Sequence, residues 1–454
     1  MKKPSLLILS SLVLLSTLLM SVRHSTMSAS ALGQDLAVNS GHPPFDCGGE
    51  PCDAVARGFV GFFDRRLKGL DGNGRSCADC HMATDHFQLS PASAEARFQF
   101  LQFLRRFNPK ADDPLFRPID ADDFRTNGEN ATDFSNLREN GLIRITFPLP
   151  PTMRLIDPAT GLPSAESSVD VWRMVPTVNN IALTGPDGNN PWPRGPNFFG
   201  GYQLDARVGT LQEQALGALT NHAQIHNAAP ERLLDDLAAF QLVQFTNDRV
   251  RDLSDAIKEG TTPLPDPDPP LNALEHEGKV VFVRACTQCH GGPRMSTATT
   301  PGIRYHDIAS QCPRPVDTVT PARFAFAACP PRLAHNARTY QITLINGTTA
   351  RRTSSDPGRA LLTGYVGGPA PLDDWNKFDV PGLRGISKTA PYFHNNSADT
   401  LENVVDHYIE FFKRVEANAA PGVVPPVAST DGVHFDRRPT LEERPALLAY
   451  LRKL

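Results

Sequence analysis

Cys77-Ala78-Asp79-Cys80-His81 and Cys286-Thr287-Gln288-Cys289-His290 are two copies of one pattern, C-x-x-C-H, and their reading decides the fold. Two cysteines at this spacing reach the two vinyl groups of one haem as thioethers, and the histidine that follows ligates its iron from the proximal side. Cysteine and histidine are also zinc ligands, so one such pentad could be half a zinc site or a bare disulfide. Two pentads in one chain point instead to two covalently bound haem c groups, held by Cys77, Cys80 and His81 and by Cys286, Cys289 and His290.

Around these pentads, 454 residues with 40% hydrophobic content suggest two or three domains with ordinary cores. A net charge of -4 lacks the basic excess of nucleic-acid binders, so nucleic acid is excluded as the expected partner. Lys2 and Lys3 precede the apolar run Leu6 to Met20, and Ala29-Ser30-Ala31 offers a small-residue cleavage site. Residues 1–31 therefore read as a secretory signal peptide. The run is short for a membrane span, which makes an uncleaved anchor the lesser alternative. Export agrees with the remaining cysteines, Cys47, Cys52, Cys312 and Cys329, which suit two disulfides. The local pairings are Cys47 with Cys52 and Cys312 with Cys329, although three connectivities are open. The periplasm is the expected compartment.

Helical periodicity precedes each pentad, over Ala54 to Leu67 and Leu271 to Ala285. A further helix is expected after each, over Glu231 to Thr246 and over Thr440 to Leu454, the latter opening on a Thr-x-x-Glu capping box. Each later helix is expected to cross the one before its haem. The proline-dense stretch Thr261 to Pro270 reads as a linker and puts a boundary near residue 265. The fold class is thus mostly α: two cytochrome c-like helical haem domains with long loops, over 32–264 and 265–454. The first carries an insertion-like region over about 90–168 whose purpose is not readable.

Beyond the pentads, three segments resemble the bacterial di-haem cytochrome c peroxidase and MauG superfamily. Near the C-terminus, Asp356-Pro357-Gly358-Arg359, Val380-Pro381-Gly382-Leu383-Arg384, Thr389-Ala390-Pro391-Tyr392-Phe393-His394 and Thr400-Leu401 follow that family's order and spacing. In the first half, Val175-Pro176-Thr177-Val178-Asn179-Asn180 and Asp205-Ala206-Arg207 through Leu211-Gln212-Glu213-Gln214-Ala215 are looser matches. The resemblance implies that the His81 haem meets peroxide and the His290 haem passes electrons, with a calcium ion between the two domains. It puts Tyr408 at the sixth-ligand position of the second haem, where the peroxidases hold methionine and MauG-like proteins tyrosine. A phenolate stabilises ferric iron, whereas a thioether raises the potential. The alternatives are that Tyr408 merely packs beside Ile409 and Phe412, or that His407 is the ligand. Calcium would take oxygen ligands at Asn180, Thr389 and Pro391, which is chemistry suited to a hard cation. The other reading of Asn180 is an ordinary turn residue.

Two departures from the family bear on mechanism. Its distal glutamate corresponds to Gln224, counted from Gln214, and an amide cannot exchange protons as an acid or base. Gln214, Gln224 and His222 are the candidate catalytic residues. His222 and His226 could supply the missing titratable group, against the plainer reading that both lie on a solvated loop. The family's bridging tryptophan corresponds to Leu204, leaving Tyr202 or Trp192 as aromatic stepping stones, or as packing on haem edges. Phe87, Phe98 and Phe100 are expected to line the first haem pocket. His86 lies too near His81 to reach the opposite face, so an open or water-bound first iron is expected.

Together these readings describe an exported oxidoreductase that reduces hydrogen peroxide with electrons from a small redox protein, a cytochrome c or a cupredoxin, or that oxidises a partner protein as MauG does. The competing reading is an electron carrier or redox sensor without efficient peroxidase activity, which Gln224 and Leu204 would explain. The resemblance allows a homodimer, and the sequence is silent on oligomeric state.

Overall fold

Each pentad sits beneath a crossing of two helices, and glycine permits that crossing in both halves. Among the described residues, helices of six residues or more are α1 (Cys52–Phe63), α2 (Pro91–Arg105), α3 (Ser135–Asn140), α4 (Leu211–Asn221), α5 (Glu231–Leu242), α6 (Asp248–Glu259), α7 (Ala273–Ala285), α8 (Leu401–Ala417) and α9 (Arg444–Leu451). The computed structural model describes residues 47, 49–185, 201–296, 305–311, 330–368, 373–417 and 438–454. Met1–Cys52 and Asp53–Leu454 are separate units. Of the first, a disulfide joins Cys47 to Cys52. Cys312, Cys329 and Trp192 lie outside the described residues. Among the described residues, no helix is long and apolar enough to cross a membrane.

In the first half α1 crosses α5 at Gly58, where a Cβ would stand 1.8 Å from the Asp236 carbonyl oxygen and 2.8 Å from Phe240 Cβ. In the second, α7 crosses α9 at Gly278, where a Cβ would stand 1.9 Å from the Ala446 carbonyl oxygen and 2.8 Å from Tyr450 Cβ. Backbones this close admit only glycine. Phe62, one turn after Gly58, meets Phe240 at 5.0 Å between ring centroids, and Phe282, one turn after Gly278, meets Tyr450 at 5.5 Å. These are the helix pairs expected from periodicity.

The structure adjusts three expectations. Helix α9 begins at Arg444 rather than Thr440, with the Glu443 carboxylate reaching back to the Thr440 amide at 2.9 Å. The segment read as a linker is anchored: Asp268 is buried, bonded to Arg384 at 2.5 Å, Lys279 at 2.8 Å and the Tyr450 hydroxyl at 2.9 Å. A buried carboxylate needs such partners, which is why this stretch packs where its composition reads as free. The insertion-like region is a packed layer, in which Leu89, Ala94, Leu101, Leu115, Phe116 and Leu137 form one core.

Among the described residues, three small sheets accompany the helices. Strand β1 (Leu142–Pro148) pairs antiparallel with β3 (Ser168–Met174), Leu142 opposite Met174. Strand β2 (Met153–Leu155) is the edge of an antiparallel sheet with β5 (Arg338–Thr343) and β6 (Thr349–Ser354) from the second half. A two-residue pairing joins β4 (Tyr305–His306) to β7 (Phe378–Asp379).

Candidate haem-binding and distal sites

Ser76 caps the helical turn Cys77–Cys80, and Asp79 reaches back to the Ser76 amide at 2.9 Å. The turn thus presents two thiols and a histidine from one rigid unit. His81 Nδ1 lies 3.0 Å from the Phe87 carbonyl oxygen. A carbonyl only accepts, so Nδ1 carries the proton and Nε2 keeps its lone pair for a metal. His290 repeats this arrangement, its Nδ1 shared between the carbonyls of Met295 at 3.2 Å and Pro381 at 3.1 Å. Burial lowers the pKa of His81, and lowers that of His290 to about 4, so both rings are neutral, as ligands must be.

The four pentad cysteines are not disulfide-bonded, whereas Cys47 and Cys52 are joined. Burial pushes the Cys77 and Cys286 thiols up to about 12 and Cys80 up to about 11. Among the described residues no three His, Cys, Asp or Glu side chains converge as a metal cluster. Reduced thiols in apolar surroundings beside a histidine with an oriented lone pair fit haem attachment.

An internal repeat compares the two distal sides. Tyr202 and Val208 exchange backbone hydrogen bonds of 2.7 and 3.4 Å, as do Tyr392 and Ala398. Gln203 and Ala206 take positive φ in the first copy, and Phe393 and Asn396 do so in the second. Thr210 then caps α4 through the Glu213 amide, as the Thr400 hydroxyl accepts from the Asn403 amide at the start of α8. Followed from these anchors, Tyr408 on α8 corresponds to Ala218 on α4.

Tyr408 packs in the core that contains Cys286, Met295 and Phe393, and burial raises its hydroxyl pKa. His407 Nε2 is engaged by the Ile308 carbonyl at 2.7 Å. Ala218 has no donor atom to offer the first pentad. His86 is exposed, with its carbonyl accepting from Thr177 at 2.6 Å and Asn179 at 3.1 Å.

The loop after α4 is strapped to residues just before the first pentad. Asn73 Nδ2 donates to the His222 carbonyl at 2.9 Å and to Gln224 Oε1 at 3.0 Å, and the Asn73 amide donates to the Ala223 carbonyl at 2.8 Å. Gln224 holds a left-handed φ of 50°. His222 is not on a solvated loop: its Nδ1 is buried with no hydrogen-bond partner among the described residues, and burial lowers its pKa to about 4. His226 does lie in solvent, its Nδ1 2.6 Å from the Asp71 carbonyl oxygen. Gln214 is half-buried on α4, one turn before Ala218.

Of the expected pocket aromatics, Phe87 meets Phe62 at 6.1 Å and Phe240 at 6.2 Å, beside His81. Phe98 packs edge-on to Phe116 at 5.2 Å under Arg138, and Phe100 is 60% exposed. Both ride on α2; the core that Phe98 packs against also holds Cys80 of the first pentad, and Arg97 of the same helix donates to the Asp79 carbonyl at 2.8 Å. Tyr202 packs on Leu211 and Ala238. At the calcium position, Asn180 Oδ1 accepts from the Thr246 amide at 2.9 Å, and its Nδ2 donates to the Arg384 carbonyl at 2.8 Å. Thr389 and Pro391 flank Ala390, whose carbonyl accepts from Gln88 at 2.7 Å.

Sequence reading missed a buried cation between the halves. Arg173, almost wholly inaccessible, holds Asp205 at 2.5 Å and Asp356 at 2.6 and 3.0 Å, and Arg207 holds Asp205 at 2.8 Å. Both carboxylates lie in segments that carry the family resemblance, which was the available signal.

No family model matches the chain. A stretch of 145 residues is 30% identical to "Cytochrome-c peroxidase IdrP2" of Denitromonas iodatirespirans, spanning 30% of this chain and about a third of that relative's length. Among solved structures, a MauG-like protein associated with microbial copper homeostasis is 18% identical, with TM-score 0.44 over 90% of each chain. The diheme peroxidase BthA from Burkholderia thailandensis E264 is 18% identical, with TM-score 0.40 over 90% of this chain and 88% of that one.

Proposed function

We propose that this chain, which resembles the bacterial di-haem cytochrome c peroxidase and MauG superfamily, is a di-haem c-type oxidoreductase that meets hydrogen peroxide at the His81 site and exchanges electrons at the His290 site. The observation that carries the proposal is the asymmetry of the repeat: Tyr408, packed in the core against which Cys286 also packs, corresponds to Ala218 in the first copy. A bound haem would supply the redox couple and the iron that takes peroxide.

The chain's own residues then have distinct tasks. His81 and His290 would ligate the haem iron through Nε2, their rings oriented by the carbonyls of Phe87, Met295 and Pro381. At the first site Gln224, oriented by Asn73, offers an amide as hydrogen-bond partner, and it neither takes nor gives a proton. His222 is the neighbouring titratable group. With its pKa lowered to about 4 it is neutral at neutral pH and acts as a proton acceptor.

Electrons would come from a small cytochrome c or cupredoxin, or from a partner protein that is itself oxidised. The signal-like N-terminus supports action in the periplasm. Calcium at Asn180, Thr389 and Pro391 belongs to the same proposal, since a side-chain amide oxygen and backbone carbonyls are the hard donors that this cation takes. A second reading, an electron carrier or redox sensor, is favoured by Gln224 standing where the family holds glutamate.

The test mixes purified diferric and half-reduced protein with hydrogen peroxide and follows haem absorption and peroxide consumption. Peroxide loss in either state, with the change confined to the first haem, supports the enzyme. No reaction in either state leaves the carrier or sensor. His222→Ala should slow peroxide consumption about 10²-fold if this ring handles the proton, and Gln224→Glu should speed it.

A further inference from the structure

We propose that Arg75 is a positioning residue for the distal loop 222–224 of the first haem site, and that the insertion-like region exists in part to hold Arg75 through Asp120. The inference rests on the reading of the His81 iron as the reactive one. Arg75 precedes Cys77 by two positions and is almost wholly buried. Its guanidinium is enclosed by the insertion: Nε donates to the Pro114 carbonyl at 2.9 Å, Nη2 to the Leu115 carbonyl at 2.6 Å, and Nη1 to the Asp120 carboxylate. Asp120 is fully buried, and its other oxygen accepts the Arg144 amide at the start of β1 at 3.0 Å.

From this anchor the contacts run toward the distal loop. Arg75 Nη1 lies 3.4 Å from the His222 carbonyl oxygen. The Arg75 amide donates to Asn73 Oδ1 at 3.1 Å, which turns the Asn73 amide group toward the His222 carbonyl and the Gln224 side chain. A Cβ at Gly72 would stand 2.8 Å from the Ala223 carbonyl oxygen, so the strap and the loop touch along their backbones. Asp120, Arg75, Asn73 and the loop form one connected hydrogen-bonded path, with a buried ion pair at its insertion end. Charge-assisted bonds of this kind fix geometry more firmly than neutral ones. Removing one partner leaves the other charge buried and the path loose.

The test compares holoprotein variants by cyanide affinity of the first haem and by hydrogen exchange of the peptide containing residues 222–226. Asp120→Asn is expected to weaken cyanide binding about tenfold, the effect of losing one charge-assisted hydrogen bond, and to speed exchange of that peptide by a similar factor. Arg75→Lys keeps the charge without the planar fork and should fall between wild type and Asp120→Asn, which preserves the test if the latter folds poorly. Asp170→Asn is the control. It breaks the side-chain pairs with Arg125 and Arg144 but leaves the Arg144 backbone amide on Asp120 and all the bonds of Arg75, and should leave both readouts within about twofold. Equal behaviour of Asp120→Asn and Asp170→Asn in both readouts overturns the inference. A wild-type protein that takes no cyanide overturns the open-iron reading instead, and the exchange comparison then still decides whether Arg75 positions the loop.

Discussion

Tyr408 and Ala218 set the two sites apart by a single side chain. If the Tyr408 phenolate ligates the second iron, Tyr408→Met exchanges an anionic oxygen for a soft thioether, and the potential of that haem should rise by on the order of 100 mV or more. Redox titration with absorption readout of the separate haems measures it, and an unchanged potential and spectrum would remove Tyr408 as a ligand. Burial already disfavours the phenolate when no metal is bound, so a metal charge is what would hold it ionised. The sequence made Tyr408 legible through its neighbours, Leu401 to His407. It could not make His222 legible, because a histidine two residues from a loop glutamine looks the same whether its ring nitrogen is buried or wet. Only the strap from Asn73 and Arg75 distinguishes the two cases. His394 extends the same lesson: it is the repeat's counterpart of Leu204, buried, with its ring stacked on Phe378 at 4.0 Å.

The helix crossings were the most readable elements, since an apolar stripe at helical spacing before and after each pentad needs a partner of its own kind. What periodicity does not contain is the closeness of approach, which Gly58 and Gly278 decide. Gly58→Ala and Gly278→Ala each drive a methyl group into a carbonyl of the facing helix, and neither backbone can yield without separating the pair. Each should destabilise the holoprotein by about 3 kcal/mol, the upper end of ordinary overpacking costs, in urea unfolding followed by far-UV dichroism. Gly217 on α4, with nothing within 4 Å of its built Cβ, should tolerate alanine and serves as the contrast. The small strands escaped sequence reading for a related reason. β2 is three residues long, and its partner β5 lies in the other half, so no local alternation announces the pairing.

Across the whole of residues 53–454, the halves are tied by charge as well as by packing. Arg173 on β3 draws together Asp205, from the first half, and Asp356, from the second, in a site closed to water. Burial alone would raise the Asp205 pKa, and the guanidinium groups of Arg207 and Arg173 overcome it, holding the carboxyl near 2 against an ordinary value of 3.8. The sign follows from which state binds protons more readily. An unfolded Asp205 is protonated near pH 4 while the folded one still resists, so the stabilisation is fully present above the unfolded value and is lost as pH falls through the folded one. Its size is about 2 kcal/mol for a shift of this order. Holoprotein stability should therefore fall between about pH 4 and pH 2, as other paired carboxylates such as Asp79 and Asp268 add to the same trend. Asp205→Asn removes the group that titrates. The stability difference between wild type and this variant, read from urea unfolding over a pH series, should be largest near neutrality and shrink through the pH 4 to 2 window. A difference that stays constant across that window would mean that Asp205 has the same proton affinity folded and unfolded, and that Arg173 is neutralised by Asp356 alone.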